Sequence, residues 1–278
     1  MPQNLQLLKR RIKTSKNVSQ IAKAMEMMSA SKIKRAQNTV ENNKPYAGKI
    51  SLLTKQLIQS AGEKYTHPFI SGNNSSKKLL IAISPDRGLC GSLNTNLFKK
   101  LITLEDKDTT LVTIGHKVER FAAKLTFDLA ATFPMGNTLP RFSNVYDVIR
   151  LVNTLYTEAK VGSVEVLYTE FTSFFHQEPI VKKLLPIDIS ELPEKEEGVS
   201  FYEPGICELL DILLPQYLEV SFYSALLEAY TSEQAARMIS MQNAKNNAND
   251  IANYLTLQYN KSRQEKITGE ILDLSNTQ

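Results

Sequence analysis

The hydrophobic pattern of the amino-terminal fifth of the chain predicts one long helix. From about residue 5 to residue 58, apolar side chains recur every three or four positions, and no glycine or proline intervenes before Pro45. Forty helical residues extend about 60 Å, which is longer than a small domain. We therefore expect much of this helix to pack outside a conventional core, and small residues between the larger ones permit a partner helix to approach closely. The larger residues are Leu5, Leu8, Ile12, Ile21, Met25, Met28 and Ile33, and the smaller ones are Ser15, Ser19, Ala22, Ser29, Ala30 and Ala36.

The middle of the chain alternates between strand and helix periodicity. Buried strands followed by amphipathic helices indicate βαβ crossovers and a largely parallel sheet, while the last two strands suit a hairpin-like pair. An acidic stretch at 191–198 is typical of a solvated linker. The predicted strands are 77–84, 110–115, 164–169 and 180–185, the predicted helices are about 93–101, 116–125 and 143–159, and a short apolar run spans 129–133.

Helical periodicity returns at residue 206 and continues to about residue 274. Pro215 either kinks this helix or marks its start, and residues 231–234 also fit a capping box from which a separate helix could begin. A seam of the kind found in coiled coils is expected along it. The expected seam residues are Met241, Ala244, Ala248, Ile251 and Leu255.

These patterns together predict two long terminal helices that form an antiparallel pair, with an α/β domain inserted between them. The domain boundaries that follow are 1–60, 75–190 and 206–278. Charge supports the pairing, because residues 1–64 carry 13 basic and 3 acidic side chains whereas residues 206–278 carry 5 and 9. The same basic amino terminus would also suit a nucleic-acid-binding arm.

Metal and disulfide chemistry are not indicated by the cysteines and histidines. Cys90 and Cys207 are too far apart for a CxxC motif, and His67, His116 and His176 show no HExxH spacing. We therefore expect no metal and no cofactor. The amino terminus also lacks the apolar core of a secretory signal, and no stretch is long enough to span a bilayer.

Three alternatives from the residues remain open. Cys90 follows the first strand at a turn, where it could serve an α/β enzyme as a nucleophile, although a lone thiol is usually a small buried group. The basic first helix could bind phosphate backbones, although it carries no aromatic residue before Tyr46. Met25, Met27 and Met28 are either core filler or part of an adaptable surface that meets several partners. Gly88 and Gly91 are expected to be structural residues of the turn after the first strand.

Four segments resemble the gamma subunits of F-type ATP synthases, in the family's order. Residues 23–32 resemble the amino-terminal signature, and residues 87–94 resemble the central motif, with Ser92 where a second glycine is usual. Residues 232–238 and 259–268 resemble the carboxy-terminal helix. The chain departs from the family after residue 270, because the usual Gly-Ala pair is absent from its last residues.

The resemblance implies an antiparallel coiled coil with an inserted Rossmann-like α/β domain. It also implies a rotor that carries no chemistry of its own, present in one copy within a ring of three alpha and three beta subunits. Epsilon and the membrane ring of c subunits are the implied partners near the α/β domain, with no nucleic acid. The implied location is the cytoplasmic face of a bacterial cell membrane, peripheral and reached only through the c ring.

Residue roles also follow from the resemblance. The expected contacts with beta are Met25, Lys32, Arg237, Gln264 and Thr268. Tyr202 and Glu203 are expected in a foot that faces the c ring and epsilon.

Overall fold

A computed structural model describes residues 5–62, 65–191 and 202–275. The predicted linker at 191–198 therefore lies outside the described residues except for residue 191, and the last three residues lie outside them as well. By internal contacts the chain divides into two compact units. The terminal unit contains residues up to 30 and from 237 onward, and the central unit contains residues 31–236.

The central unit contains a five-stranded sheet with the order β3-β2-β1-β4-β5. Strands β1 to β4 are parallel, and β5 pairs antiparallel with β4. Crossover helices join the parallel strands, as the alternating pattern predicts. The strands are β1 (Lys78–Ile83), β2 (Thr109–Ile114), β3 (Asp128–Phe133), β4 (Ser163–Phe171) and β5 (Gln177–Leu185). The shorter helices are α2 (Pro68–Ser71), α3 (Leu93–Thr103), α4 (His116–Ala122) and α5 (Tyr146–Thr157).

Both faces of the sheet are covered, because the period of two along each strand sends alternate side chains to opposite sides. On one face Leu80 and Leu111 pack against α3 and α4. On the other face Leu79 and Val112 pack against α5 and against the central-unit part of the last helix. The apolar run at 129–133, left unassigned by the sequence, is the edge strand β3.

The two long helices are α1 (Leu5–Ala61) and α6 (Ile206–Ser275). They form the predicted antiparallel coiled coil. Residues later in α1 contact residues earlier in α6, since Glu26 binds Lys245 whereas Tyr46 binds Gln216. Within the described residues no helix is long and apolar enough to cross a membrane.

The expected helix from residue 206 is confirmed, and two of the alternatives left open along it are excluded. Pro215 does not mark the start of the helix, which begins nine residues earlier and continues through the proline. No separate helix begins at residue 231 either, because the Thr231 hydroxyl donates to the Leu227 carbonyl at 2.7 Å, within continuous helix. Burial explains both results: the residues around Pro215 and Thr231 pack into the core of the central unit, and packing outweighs local signals.

Candidate functional site

Small and large side chains both line the seam of the terminal unit. Along α1 the buried and half-buried positions follow a heptad spacing of three and four residues. These positions are Leu5, Leu8, Ile12, Ser15, Ser19, Ala22, Glu26 and Ser29 on α1, and Met241, Lys245, Ala248, Ala252 and Leu255 on α6. Glu26 and Lys245 form a partly buried ion pair at 2.7 Å across this seam.

Ile251 was expected in the seam, and Ile21 and Met28 were expected on the apolar face of α1, but all three are exposed. Ile21 is 62% exposed, and Ala22 occupies the seam in its place. Ile251 is likewise exposed, and its neighbour Ala252 is buried. At these positions small residues occupy the seam and their larger neighbours face outward.

A surface of large apolar side chains therefore faces outward from the terminal unit. We call it the apolar belt. Scattered exposed apolar residues are ordinary, but a dense set on one element marks an interaction surface. Its members are Leu7, Val18, Ile21, Met27 and Met28 on α1, and Ile251, Tyr254, Leu257, Ile267, Ile271 and Leu272 on α6.

The expected contact residues occupy different environments. Met25 is half-buried next to Glu26, whereas Gln264 and Thr268 are exposed on α6. Arg237 is only 9% exposed. In the central unit, the Lys32 amine donates to the Asn137 carbonyl at 2.8 Å, so this lysine contacts a loop of its own chain.

The turn after β1 is organised by Asp86. Its carboxylate accepts the backbone N–H of His116 at 2.9 Å and that of Gly136 at 2.8 Å. These donors follow β2 and β3, so one side chain joins the carboxyl ends of three adjacent strands. The sequence indicated a turn here but not this role of Asp86, for which an acidic residue directly after a parallel strand was the available signal.

The two glycines of this turn differ. Gly91 has φ 58°, in the left-handed region that glycine adopts readily, and Leu89 has φ 64° without being a glycine. Gly88 does not have a positive φ, and a side chain there would meet only the Lys117 side chain at 3.9 Å.

Cys90 packs as a small apolar group. Its side chain is 2% exposed and lies against Leu93 and Ala236, and the Asn94 amide donates to its sulfur at 3.4 Å. Among the described residues, no group of three or more histidine, cysteine or acidic side chains could hold a metal ion.

The foot residues lie just before α6. Tyr202 is half-buried against the core of the central unit, and Glu203 is exposed. Nearby, the Tyr65 hydroxyl donates to the Asp211 carboxylate at 2.6 Å, which ties the segment after α1 to the second turn of α6. Burial, and then this hydrogen bond, raise the pKa of Tyr65.

Comparison with known proteins gives a consistent assignment. A family profile described as ATP synthase matches residues 4–276. The ATP synthase gamma chain of Dehalococcoides mccartyi strain CBDB1 is 36% identical over 276 residues, which is 98% of this chain and 96% of that protein. The ATP synthase gamma chain of Legionella pneumophila strain Corby is 34% identical, with 96% of each chain covered.

Solved structures agree on the fold. A chain from the cryo-EM structure of the central stalk and c-ring of Tetrahymena thermophila mitochondrial ATP synthase aligns with a TM-score of 0.62 and 26% identity, over 81% of this chain and 99% of that one. A chain from the rotor of Euglena gracilis mitochondrial ATP synthase has a TM-score of 0.68 over 95% of this chain and 98% of that one, with 18% identity. Since the family profile and the 36% identical relative both extend over nearly the whole chain, this protein belongs to the ATP synthase gamma-chain family.

Proposed function

We propose that this chain is the central rotor of an F-type ATP synthase and couples rotation of a c ring to ATP synthesis on beta subunits. The observation that carries the proposal is the apolar belt. A two-helix coiled coil that exposes so many large apolar side chains is suited to turning inside a surrounding protein. The chain itself carries no chemistry in this proposal.

The proposed partners are three alpha and three beta subunits around the terminal helices, and epsilon and the c ring near the foot. The three predicted segments, 1–60, 75–190 and 206–278, would then correspond to the first shaft helix, the α/β domain and the second shaft helix. The complex would lie at the cytoplasmic face of a bacterial cell membrane, with this chain reaching the membrane only through the c ring.

Contacts with beta are proposed at Met25, Lys32, Arg237, Gln264 and Thr268. Gln264 and Thr268 are exposed and accessible for direct contact, Lys32 is partly exposed, and Arg237 is buried. Shifting a beta site from 1:99 to 99:1 between two states needs about 5.5 kcal/mol of differential interaction. One surface ion pair supplies only about 0 to 1 kcal/mol. We therefore expect single replacements at these positions to weaken coupling only partly.

The proposal is tested by reconstituting purified alpha and beta subunits of the same organism with this chain. ATP hydrolysis and the rotation of a bead on the central unit are measured. The expected result is hydrolysis that depends on this chain, with rotation in three steps. Failure to assemble with authentic partners would overturn the proposal, and complete uncoupling by a single polar replacement in an assembled complex would contradict distributed contact.

A triple variant of the belt tests the observation directly. Ile21→Ser, Tyr254→Ser and Leu257→Ser together remove three exposed apolar side chains, each worth about 1.5–3 kcal/mol when buried by a partner. We expect the free chain to fold normally and its stimulation of hydrolysis to fall more than about tenfold. The matched control is Ile102→Ser on α3, which is similarly exposed but lies outside the belt. Equal effects of the control and the triple variant would exclude a specific role for the belt.

A further inference from the structure

A basic groove in the central unit has no role in the proposed rotor. It has a volume of about 920 Å³ and is lined by the loop between β3 and α5, by Arg35 of α1 and by Tyr223 of α6. This volume is within the range of small-molecule sites, which is about 300–1,000 Å³. We call it the 134–144 groove, after the loop that forms most of its wall.

The charged side chains that line the 134–144 groove are both arginines. Arg35 and Arg141 each contribute to the lining, and no acidic residue does. In the part of the chain that the structure describes, neither guanidinium forms an ion pair. Both side chains are exposed at the wall of the groove, so each guanidinium can form charge-assisted hydrogen bonds with an anion that enters it.

Neutral donors complete the lining. Thr138 and Ser143 present hydroxyl groups, and Asn144 presents a side-chain amide. Guanidinium groups bind phosphate oxygens in a bidentate manner, and hydroxyl and amide donors can satisfy the remaining oxygens. A carboxylate has only two acceptor oxygens. A phosphate group has more, so it can accept hydrogen bonds from more of these donors.

The backbone of the loop is held from two sides. The Asp86 carboxylate accepts the Gly136 N–H at 2.8 Å, and the Lys32 amine donates to the Asn137 carbonyl at 2.8 Å. The Asp86 carboxylate also accepts the backbone N–H of His116, the first residue of α4, so its negative charge is engaged behind the loop. These contacts fix the loop between β3 and α1.

The carboxyl half of the loop is held as well. The Tyr223 hydroxyl donates to the Pro140 carbonyl at 3.2 Å, and the backbone N–H of Arg141 donates to the side-chain oxygen of Asn144 at 2.9 Å. Asp147 lines a separate cavity of about 160 Å³ that shares part of this wall. A loop held in place before a ligand arrives loses little entropy on binding.

We propose that the 134–144 groove binds a small polyphosphate anion, which is either an inorganic chain such as pyrophosphate or the phosphate end of a nucleotide. Arg35 and Arg141 hold the phosphate oxygens, and the hydroxyl and amide groups of the loop complete the site. No covalent step is involved. The inference does not depend on the proposed function, because binding can be measured on the isolated chain.

The test is calorimetric titration of the full chain at about 50 mM salt with pyrophosphate, tripolyphosphate, ATP and adenosine. We expect saturable binding of the phosphates with a dissociation constant below about 1 mM, and none of adenosine. ATP that binds at least fivefold more tightly than tripolyphosphate would identify a nucleotide, and equal binding would identify an inorganic chain. No saturable binding of any phosphate would overturn the proposal.

Variants distinguish binding at the 134–144 groove from nonspecific attraction to positive charge. Arg35→Gln and Arg141→Gln are each expected to weaken binding about tenfold or more, since each removes charge-assisted hydrogen bonds. Arg150→Gln on α5 is the matched control, because it makes the same change on an exposed arginine outside the lining. Equal weakening by the control would overturn the site assignment.

Two further measurements do not depend on how the variants fold. Pyrophosphate should protect Arg35 and Arg141 of the unaltered chain from phenylglyoxal, read by peptide mass spectrometry, and leave Arg150 unprotected. Citrate and an oligoglutamate peptide should bind at least tenfold more weakly than tripolyphosphate. Unchanged modification of both arginines, or equal binding of the peptide, would overturn the proposal in favour of an empty groove or an acidic protein segment, respectively.

Discussion

Glu228 is a largely buried carboxylate of α6 whose replacement tests the electrostatics of the central unit. One of its oxygens, Oε2, is buried without a hydrogen-bond partner in the described structure. Burial raises the pKa of Glu228, and a hydrogen bond from Tyr168 and the charge of Lys182 oppose the increase only in part. Glu170, which lines the same 240 Å³ cavity, raises this pKa further.

The sign of the pH dependence follows from the raised pKa. The ordinary pKa of Glu228 is 4.5, so the unfolded chain releases this proton at a lower pH than the folded chain does. Between 4.5 and the raised value the folded state holds more protons, and stability therefore falls as the pH rises. Below 4.5 both states are protonated and the cost disappears. Above the raised pKa the full cost of the buried charge is present.

Glu228→Gln removes that cost while keeping an acceptor for the Tyr168 hydroxyl. A buried acceptor without a partner costs about 1–3 kcal/mol, and more when it is charged. The new amide must itself find an acceptor, so we expect a net gain of about 1–2 kcal/mol in unfolding free energy at pH 8. At pH 4 the gain should be close to zero, because protonated glutamate and glutamine are both neutral.

Urea unfolding of the full chain at pH 4, 6 and 8, followed by circular dichroism, measures the difference. Glu208→Gln on the same helix is the control, because Glu208 is exposed and should change stability by less than about 0.5 kcal/mol. A loss of stability for Glu228→Gln at pH 8 would refute the reasoning. So would an equal gain at pH 4 and pH 8, because burial of charge could not then be the cause.

Three glycine replacements test the backbone geometry by the same unfolding assay. Gly115→Ala should cost about 3–5 kcal/mol, since φ is 100° and the added Cβ would lie 2.0 Å from the Ser84 carbonyl oxygen. Gly136→Ala has a positive φ but open space, so it should cost only about 1–2 kcal/mol, and equal losses at the two sites would contradict the clash. Gly48→Ala in α1 meets nothing within 4 Å and should stabilise the chain by about 0.5–1 kcal/mol, whereas a loss would show that the helix is not formed there.

The strands and helices of the central unit could be predicted from periodicity because their apolar side chains pack together within that unit. The predicted strands 77–84 and 110–115 correspond to β1 and β2 within one residue at each end. The edge strand β3 was harder to identify because most of its side chains are exposed, so no clear alternation was available. The small helix α2 has only four residues, fewer than two helical turns, and leaves no periodic pattern.

The seam of the terminal unit could be predicted in spacing but not in orientation. Ile21 and Ala22 lie on adjacent faces of α1, and each belongs to a stripe with helical spacing. Hydrophobicity alone favours the stripe with the larger residue, and the structure buries the smaller one. The choice depends on how closely the two helices approach, which is a property of the pair. The resemblance to known gamma subunits named the partners but did not resolve this orientation.

The Asp86 network and the 134–144 groove were beyond sequence reasoning for a related reason. Each unites residues from elements that are distant in the chain: Arg35 and Arg141 are more than a hundred positions apart. Nothing in local spacing distinguishes these two arginines from the other exposed basic residues. Only the sheet order, which brings the end of β3 beside the long helices of the central unit, places them on one groove.

The apolar belt can also supply the differential interaction energy that a rotor needs. A beta site needs about 5.5 kcal/mol of differential interaction to change state completely, and polar contacts at a wet surface supply too little. A large apolar side chain gains about 1.5–3 kcal/mol when it is fully buried. Three belt residues that pack against beta in one orientation and face solvent in the next would therefore be sufficient. We therefore propose that residues such as Leu257 carry most of the asymmetry that coupling needs, and that polar positions such as Gln264 adjust the contact.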